Sequence, residues 1–227
     1  MIQAAPNTAV AMANHWDTRA WRFDPAASHI RHAAAWRKVF STALGDAPKD
    51  LTDLGCGTGA CSLLTAELGH RVTGVDGSKE MLGHARKEAE QRKLVITFIH
   101  ADMDKADLQA ASADIVTIRN VLWTLENPVG ALVLARHILR PGGTILISDG
   151  YWRPGWANDS AVTFGHMLPF FNGVTEADAL ALISQADFAM PQAWQHLFDF
   201  NPYPPVKLPS GETTETEFFI LTARKPA

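Results

Sequence analysis

A glycine turn flanked by acids is the part of this sequence best suited to hold a charged ligand. Asp53-Leu-Gly55-Cys56-Gly57-Thr-Gly59-Ala60 follows a short apolar run, and Asp76 closes the next one. Glycines there let the backbone turn sharply and let a ligand approach it, while the helix that follows offers free N–H groups. Gly55-x-Gly57-x-x-Ala60 also fits the dinucleotide fingerprint, with Asp76 about where the ribose-binding acid belongs. Asp53 argues the other way. A carboxylate at the end of the strand would repel a diphosphate and welcome an ammonium group.

A second group of residues suits acid–base work and an apolar acceptor. His166, with an ordinary pKa near 6.5, is the leading candidate general base, followed by Tyr151 and then by Asp149, His15 and His29. His166 lies in an aromatic stretch, Tyr151 to Gly173, that also holds Trp152, Trp156, Phe164, Phe170 and Phe171. Such a wall suits a planar or apolar molecule and a reaction that must exclude water. Cys56 and Cys61 are the only cysteines. No second Cys/His pair stands at zinc spacing, so they read as small packing residues and no metal is implied.

The elements that must position these groups alternate between β-rich runs and helices from about Asp50 to Asp149, the pattern of βαβ units and a parallel sheet. Strands are expected at Asp50–Leu54, Arg71–Asp76, Val95–His100, Asp114–Arg119 and Thr144–Asp149. Helices are expected to start near Gly59, Ser78 and Asn127, with a shorter one near Met103. Ser78 is an N-cap by type, and Pro128 stands at a first helical position, where its missing N–H costs little. Pro141-Gly142-Gly143 ends that helix at Arg140. Residues 1–45 read as two helices broken near Asp24-Pro25 and carrying Trp16, Trp21 and Phe23. Beyond the aromatic stretch come a helix from Thr175 to about Ala186, strand-like runs at Ala193–Phe200 and Glu217–Ala223, and a proline-rich loop, Asn201–Gly211.

Asp53 to Gly59 resembles the first motif of class I S-adenosylmethionine-dependent methyltransferases. Val72-Thr-Gly-Val-Asp76-Gly-Ser-Lys-Glu-Met81-Leu82 resembles the segment that follows it, and Ala101-Asp102-Met103 the adenine-contacting turn. Asp114 to Trp123 is similar to the fourth strand, and Leu139 to Ile147 to the approach to the fifth. The resemblance implies S-adenosyl-L-methionine as cofactor. It places Gly55, Cys56, Gly57 and Gly59 along the methionine and ribose portions, and Asp53 near the amino group, directly or through water. Asp76, followed by Gly77, would accept from both ribose hydroxyls. Asp102 would meet the adenine amino group, the Met103 N–H the ring, and Met81 its face. Arg119 would contact the methionine moiety through either its carbonyl or its side chain, with Trp16 in a cover helix. Trp123, Trp152, Trp156, Phe170 and Phe171 would shape the acceptor pocket.

The implied fold is α/β: a seven-stranded, mostly parallel sheet in the order 3-2-1-4-5-7-6 with the last strand antiparallel and helices on both faces. Within one domain, residues 1–45 would form a lid, 46–150 the cofactor core, 151–173 the pocket insertion and 174–227 the closing helix and strand pair. The formal net charge of −4 over 227 residues, with no basic stripe, argues against nucleic acid as partner. Nothing like the Asn/Asp-Pro-Pro-aromatic motif of amino-group nucleic-acid methyltransferases follows the fourth strand. No apolar run approaches a membrane span, which leads to a cytoplasmic monomer or homodimer acting on a small molecule at nitrogen, oxygen or carbon. The competing readings are an NAD(P)-dependent oxidoreductase, against which Asp53 stands, and a non-catalytic metabolite-binding protein of the same fold.

Overall fold

The computed structural model describes residues 8–20, 32–155 and 168–227. Its strands are Asp50–Leu54 (β1), Arg71–Asp76 (β2), Ile96–His100 (β3), Ala113–Arg119 (β4), Leu139–Gly150 (β5), Ala189–Ala193 (β6), Val206–Lys207 (β7), Thr213–Thr214 (β8) and Phe218–Arg224 (β9). The helices are Thr8–Asp17 (α1), Ala33–Leu44 (α2), Ala60–Glu67 (α3), Lys79–Gln91 (α4), Pro128–Ile138 (α5) and Glu176–Gln185 (α6). The main sheet runs β3-β2-β1-β4-β5-β9-β6, and β9 is antiparallel to both of its neighbours. This is the expected order, with β9 as the inserted antiparallel strand.

Period-two alternation along each strand assigns side chains to the two faces. Val116 and Ile118 of β4 join Leu132, Ala135 and Ile138 of α5 and Leu182 and Ile183 of α6. Ile115 of the same strand joins Trp36, Val39 and Phe40 of α2 and Leu64 of α3 on the opposite face. A one-residue slip would exchange the faces, and each fully buried aliphatic side chain contributes about 1.5–3 kcal/mol, so the register is firmly set. β1 lies between β2 and β4. The chain order therefore reverses direction at β1, and a crevice opens beyond the carboxyl ends of β1 and β4.

The expected helix starts are present with their chemistry. Ser78 Oγ accepts from the Met81 N–H at 3.1 Å, and Asn127 Oδ1 from the Gly130 N–H at 2.9 Å ahead of Pro128. Thr175 and Asp178 form a reciprocal capping box on α6. Near Met103 there is a single 3-10 turn, Met103–Lys105. The break near Asp24-Pro25 lies outside the described residues.

Three boundaries differ from expectation. α5 stops at Ile138, and the chain is already in β5 at Leu139. Pro141-Gly142-Gly143 is absorbed by a shift of register, with Ala113 paired to Leu139 and Ile115 to Thr144. The sixth strand is Ala189–Ala193, not Ala193–Phe200, where Gln195–Leu197 forms a 3-10 turn. Pro191 disguises this strand, yet an edge strand tolerates proline, and β6 carries a register shift between Ala189 and Gln192. Asn201–Gly211 contains β7, which pairs with β8.

Gly74 in β2 is hemmed in. A Cβ there would lie 2.9 Å from Cys56 Sγ and 3.0 Å from Phe98 Cδ1. Gly74→Ala is expected to cost about 1–3 kcal/mol by overpacking. The change should appear as a lower urea midpoint at unchanged slope.

Candidate functional site

A cavity of about 370 Å³ opens over the carboxyl ends of β1, β2 and β4. Its floor is the glycine turn. Gly55 has φ +70°, and a Cβ on it would sit 2.5 Å from Val121 Cγ2, so no larger residue fits. Gly57, at φ +55°, has nothing within 4 Å of the Cβ position and leaves its backbone open to the cavity. The Gly55 and Cys56 N–H groups are tied to the Val75 carbonyl at 2.8 and 3.0 Å.

Asp76, at the end of β2, is held by two backbone amides. Oδ2 accepts from the Gly57 N–H and Oδ1 from the Ser78 N–H, both at 2.8 Å. Burial raises its pKa, and these amides oppose that rise. Each oxygen keeps a lone pair for a second donor. Asp53 is 1% exposed. Its Oδ2 accepts from Ser62 Oγ at 2.6 Å and its Oδ1 from Thr117 Oγ1 at 2.7 Å. Burial pushes this carboxyl up as well, against the two hydroxyls and the Arg119 charge.

Arg119, at the end of β4, lies buried with its guanidinium 3.9 Å from the centre of the Trp36 ring. Its Nη2 donates to the Tyr203 hydroxyl at 3.4 Å, which in turn donates to Asn120 Oδ1 at 3.2 Å. Asp102 precedes the Met103 turn, with its carboxylate 3.3 Å from Lys105 Nζ. Helix α1 roofs the cavity with Met12, Ala13 and Trp16. It is fastened by Asp17, whose Oδ1 accepts from Ser78 Oγ at 2.5 Å and from the Glu80 N–H at 3.2 Å at the start of α4. Trp16 meets Trp123 edge-on, with ring centres 6.0 Å apart.

The structure brings most of the sequence-selected residues to this one cavity. Trp16, Asp53, Gly55, Cys56, Gly57, Asp76, Gly77, Met81, Asp102, Met103, Arg119, Trp123 and Trp152 all line it. Gly59 does not. It caps α3 where that helix approaches α4, and a Cβ there would lie 3.1 Å from Ala85 Cβ.

Tyr151, Phe170 and Phe171 do not line it either. The Tyr151 N–H extends the β5–β9 ladder to the Glu217 carbonyl at 2.8 Å. With Trp152 facing the cavity, its neighbour in an extended chain faces away. Phe171 packs with Met12 and Leu168 under the Arg153 guanidinium, 4.6 Å from its ring, and Phe170 packs against the core of the α5 face. His15 faces Arg19, 3.1 Å from Nδ1, and burial with the nearby arginines lowers its pKa to about 4. Trp156 and His166, with Trp21, Phe23, His29 and Phe164, lie outside the described residues.

Asn120, Tyr203 and Asp17 are site residues that the sequence reading missed. Asn120 stands at φ +56° directly after β4. That conformation is one asparagine tolerates better than most residues, and an asparagine at a strand's carboxyl end is a usable signal. Tyr203 and Asp17 carry no local signal. Among the described residues there is no group of three or more His, Cys, Asp or Glu side chains placed to hold a metal ion, and no helix long and apolar enough to cross a membrane.

A family model described as "Methyltransferase domain" matches residues 52–147. Demethylmenaquinone methyltransferase of Thermus thermophilus is 32% identical over 142 residues, covering 61% of this chain and 64% of that protein. The chain thus spans less than two thirds of that relative's length. Among solved structures, the [4+2]-cyclase SpnF superposes with a TM-score of 0.68 at 18% identity, covering 100% of this chain and 98% of that one. Magnesium protoporphyrin IX methyltransferase from Synechocystis PCC 6803, solved with bound S-adenosylmethionine, superposes with a TM-score of 0.67 at 17% identity and covers 98% of this chain and 99% of that one.

Proposed function

We propose that the chain, whose residues 52–147 match the methyltransferase-domain model, is a class I S-adenosylmethionine-dependent methyltransferase that transfers a methyl group to a nitrogen, oxygen or carbon of a small planar or apolar metabolite. The observation that carries this reading is the charge of the cavity. Among the described lining residues four are carboxylates, Asp53, Asp76, Asp102 and Glu126, against the single cation Arg119. That donor set suits a sulfonium and an ammonium group and opposes a diphosphate. The open backbone at Gly57 supplies a cradle. The residues present therefore fit S-adenosylmethionine, and they disfavour a nicotinamide dinucleotide.

In this reading Asp76, held rigid by Gly57 and Ser78, uses its remaining lone pairs for the two ribose hydroxyls. Asp102 and the Met103 N–H take the adenine edge, with Met81 against the ring. Asp53 faces the ammonium group of the amino-acid end and Arg119 its carboxylate. S-adenosylmethionine, when bound, supplies an electrophilic methyl group on sulfur. The chain's own contribution is to align the acceptor and exclude water, and alignment alone can supply much of the acceleration. Trp123 and Trp152 form the acceptor walls, and Trp16 closes the roof above them. The base, for an acceptor that must lose a proton, is assigned on sequence alone to His166. Demethylmenaquinone and magnesium protoporphyrin IX, named for two similar proteins, both contain planar rings, which supports the choice of acceptor class.

Parallel calorimetric titrations with S-adenosylhomocysteine and NADH test the cofactor. Micromolar binding of the first and none of the second is expected, and the reverse overturns the reading. A panel of hydroquinones, catechols and aromatic amines, followed by mass spectrometry for one added methyl group, then tests the acceptor. Cofactor binding with no product from any member of the panel would favour a non-catalytic binding protein.

A further inference from the structure

Asp149 does not line the cavity, yet it is connected to both acceptor walls. It is wholly buried near the end of β5. Its Oδ2 accepts from the Leu122 N–H at 3.0 Å. Its Oδ1 accepts from the Gly150 N–H and from Trp152 Nε1–H, both at 2.9 Å. A fourth N–H group, that of Trp123, also favours the charged form of this carboxylate.

Three of these four donors belong to the two segments that present tryptophans to the cavity. One is the turn Leu122–Thr124 after β4, which carries Trp123. The other is the chain leaving β5, which carries Trp152. These segments come from strands that pair side by side, but their tryptophans share no hydrogen bond with each other. The carboxylate is the common anchor.

We infer that Asp149 is a positioning residue that fixes the spacing of Trp123 and Trp152, and with it the width of the slot that admits a planar acceptor. The inference rests on reading this cavity as a methyl-transfer site and extends it to what sets its selectivity. The chemistry of the anchor is specific. All three hydrogen-bond partners donate, so the group between them must accept at both ends. An ionised carboxylate does so, whereas an amide, like the protonated acid, turns a donor toward one of the N–H groups. Each ring has a second contact as well. Arg153 lies 4.7 Å from the centre of the Trp123 ring, and Tyr203 meets Trp152 edge-on at 5.0 Å.

The test uses the full chain saturated with S-adenosylhomocysteine at about pH 8.5, where the Asp149 carboxylate is ionised, and 2-naphthol as a planar probe, with binding followed by naphthol fluorescence. Asp149→Asn is expected to weaken naphthol binding at least tenfold while S-adenosylhomocysteine affinity changes less than twofold. Trp152→Phe keeps an aromatic ring but removes one of the four donors, so adding Asp149→Asn to it should weaken naphthol binding by less than the same change does in the wild type. Should Asp149→Asn not fold, Trp152→Phe decides. A threefold or larger loss of naphthol affinity supports the anchor, and wild-type affinity overturns it.

Naphthol affinity unchanged in a folded Asp149→Asn protein overturns the inference and leaves the cofactor reading intact. Equal losses of naphthol and S-adenosylhomocysteine binding also overturn it, since the effect would then be general. Absence of naphthol binding to the wild-type complex overturns the slot itself. Failure of S-adenosylhomocysteine to bind the wild-type protein is the separate result that overturns the methyl-transfer reading.

Discussion

Replacing Asp76 with alanine is expected to lower S-adenosylhomocysteine affinity by about 2–4 kcal/mol, roughly 30- to 1,000-fold. Two losses combine. In the proposed binding mode the ribose hydroxyls lose a charged acceptor, and a hydrogen bond to a charged group is typically worth about 1.5–3 kcal/mol, part of which water in the vacated space returns. The Gly57 and Ser78 amides also lose the carboxylate that fixes them, so the glycine turn is no longer held for the ligand. Asp76→Asn separates the two contributions. One amide oxygen can still accept from a backbone N–H, but its NH₂ faces the other, and an intermediate loss is expected. Isothermal titration calorimetry provides the measurement, and wild-type affinity in Asp76→Ala would remove this residue from the cofactor site.

The second large effect is on stability as a function of pH, and it comes from Asp149. Burial raises its carboxyl from the ordinary 3.8 to about 7, against the four N–H donors that favour the charged form. The native chain therefore holds this proton in a window where the unfolded chain has lost it. Stability contributed by the group is full below about pH 4 and falls as pH rises toward 7. The total is about 4 kcal/mol, more than half of it between pH 5 and 7. His15 works in the opposite direction. Its native pKa of about 4 lies below the ordinary 6.5, so its contribution is lost on acidification through that interval. The wild-type curve mixes the two, and Asp149→Asn isolates one. Urea unfolding at a series of pH values should show Asp149→Asn gaining steadily on the wild type from pH 4 to 8. A constant difference would mean that Asp149 ionises in the native state much as it does in the unfolded chain.

The proposed cofactor end of the site is legible because its residues are close in sequence and each has a local reason for its position. Asp53, Gly55, Gly57 and Asp76 sit on two consecutive strands and the turn between them, so apolar patterning and glycine placement locate them together. The proposed acceptor end is assembled differently. Tyr203 reaches Arg119 and Asn120 across a sequence separation of more than 80 residues, from a proline-rich stretch whose composition reads only as loop. Its position depends on β9 and β6 returning to the sheet, and β6 hides behind Pro191. Tyr151, Phe170 and Phe171 show the converse difficulty. Composition marks an aromatic segment, but which rings face the cavity depends on strand direction and on packing with Met12 and Leu168, and neither is written locally. Asp17 reads as an ordinary end-of-helix acid until α1 is docked on α4.

The antiparallel insertion has a consequence for how the molecule assembles. β6 pairs with no strand of the main sheet except β9, and β9 follows it in the chain by some two dozen residues. The β5–β9 partners nearest in sequence are Gly150 and Phe218, still a long loop to close before any hydrogen bond repays it. Until Phe218–Arg224 arrives, β5 carries an open edge rich in isoleucine and leucine, a template for pairing with another chain. Substitutions that weaken β9 should therefore reduce the yield of refolded protein before they alter cofactor affinity, because they lengthen the time that edge stays uncovered.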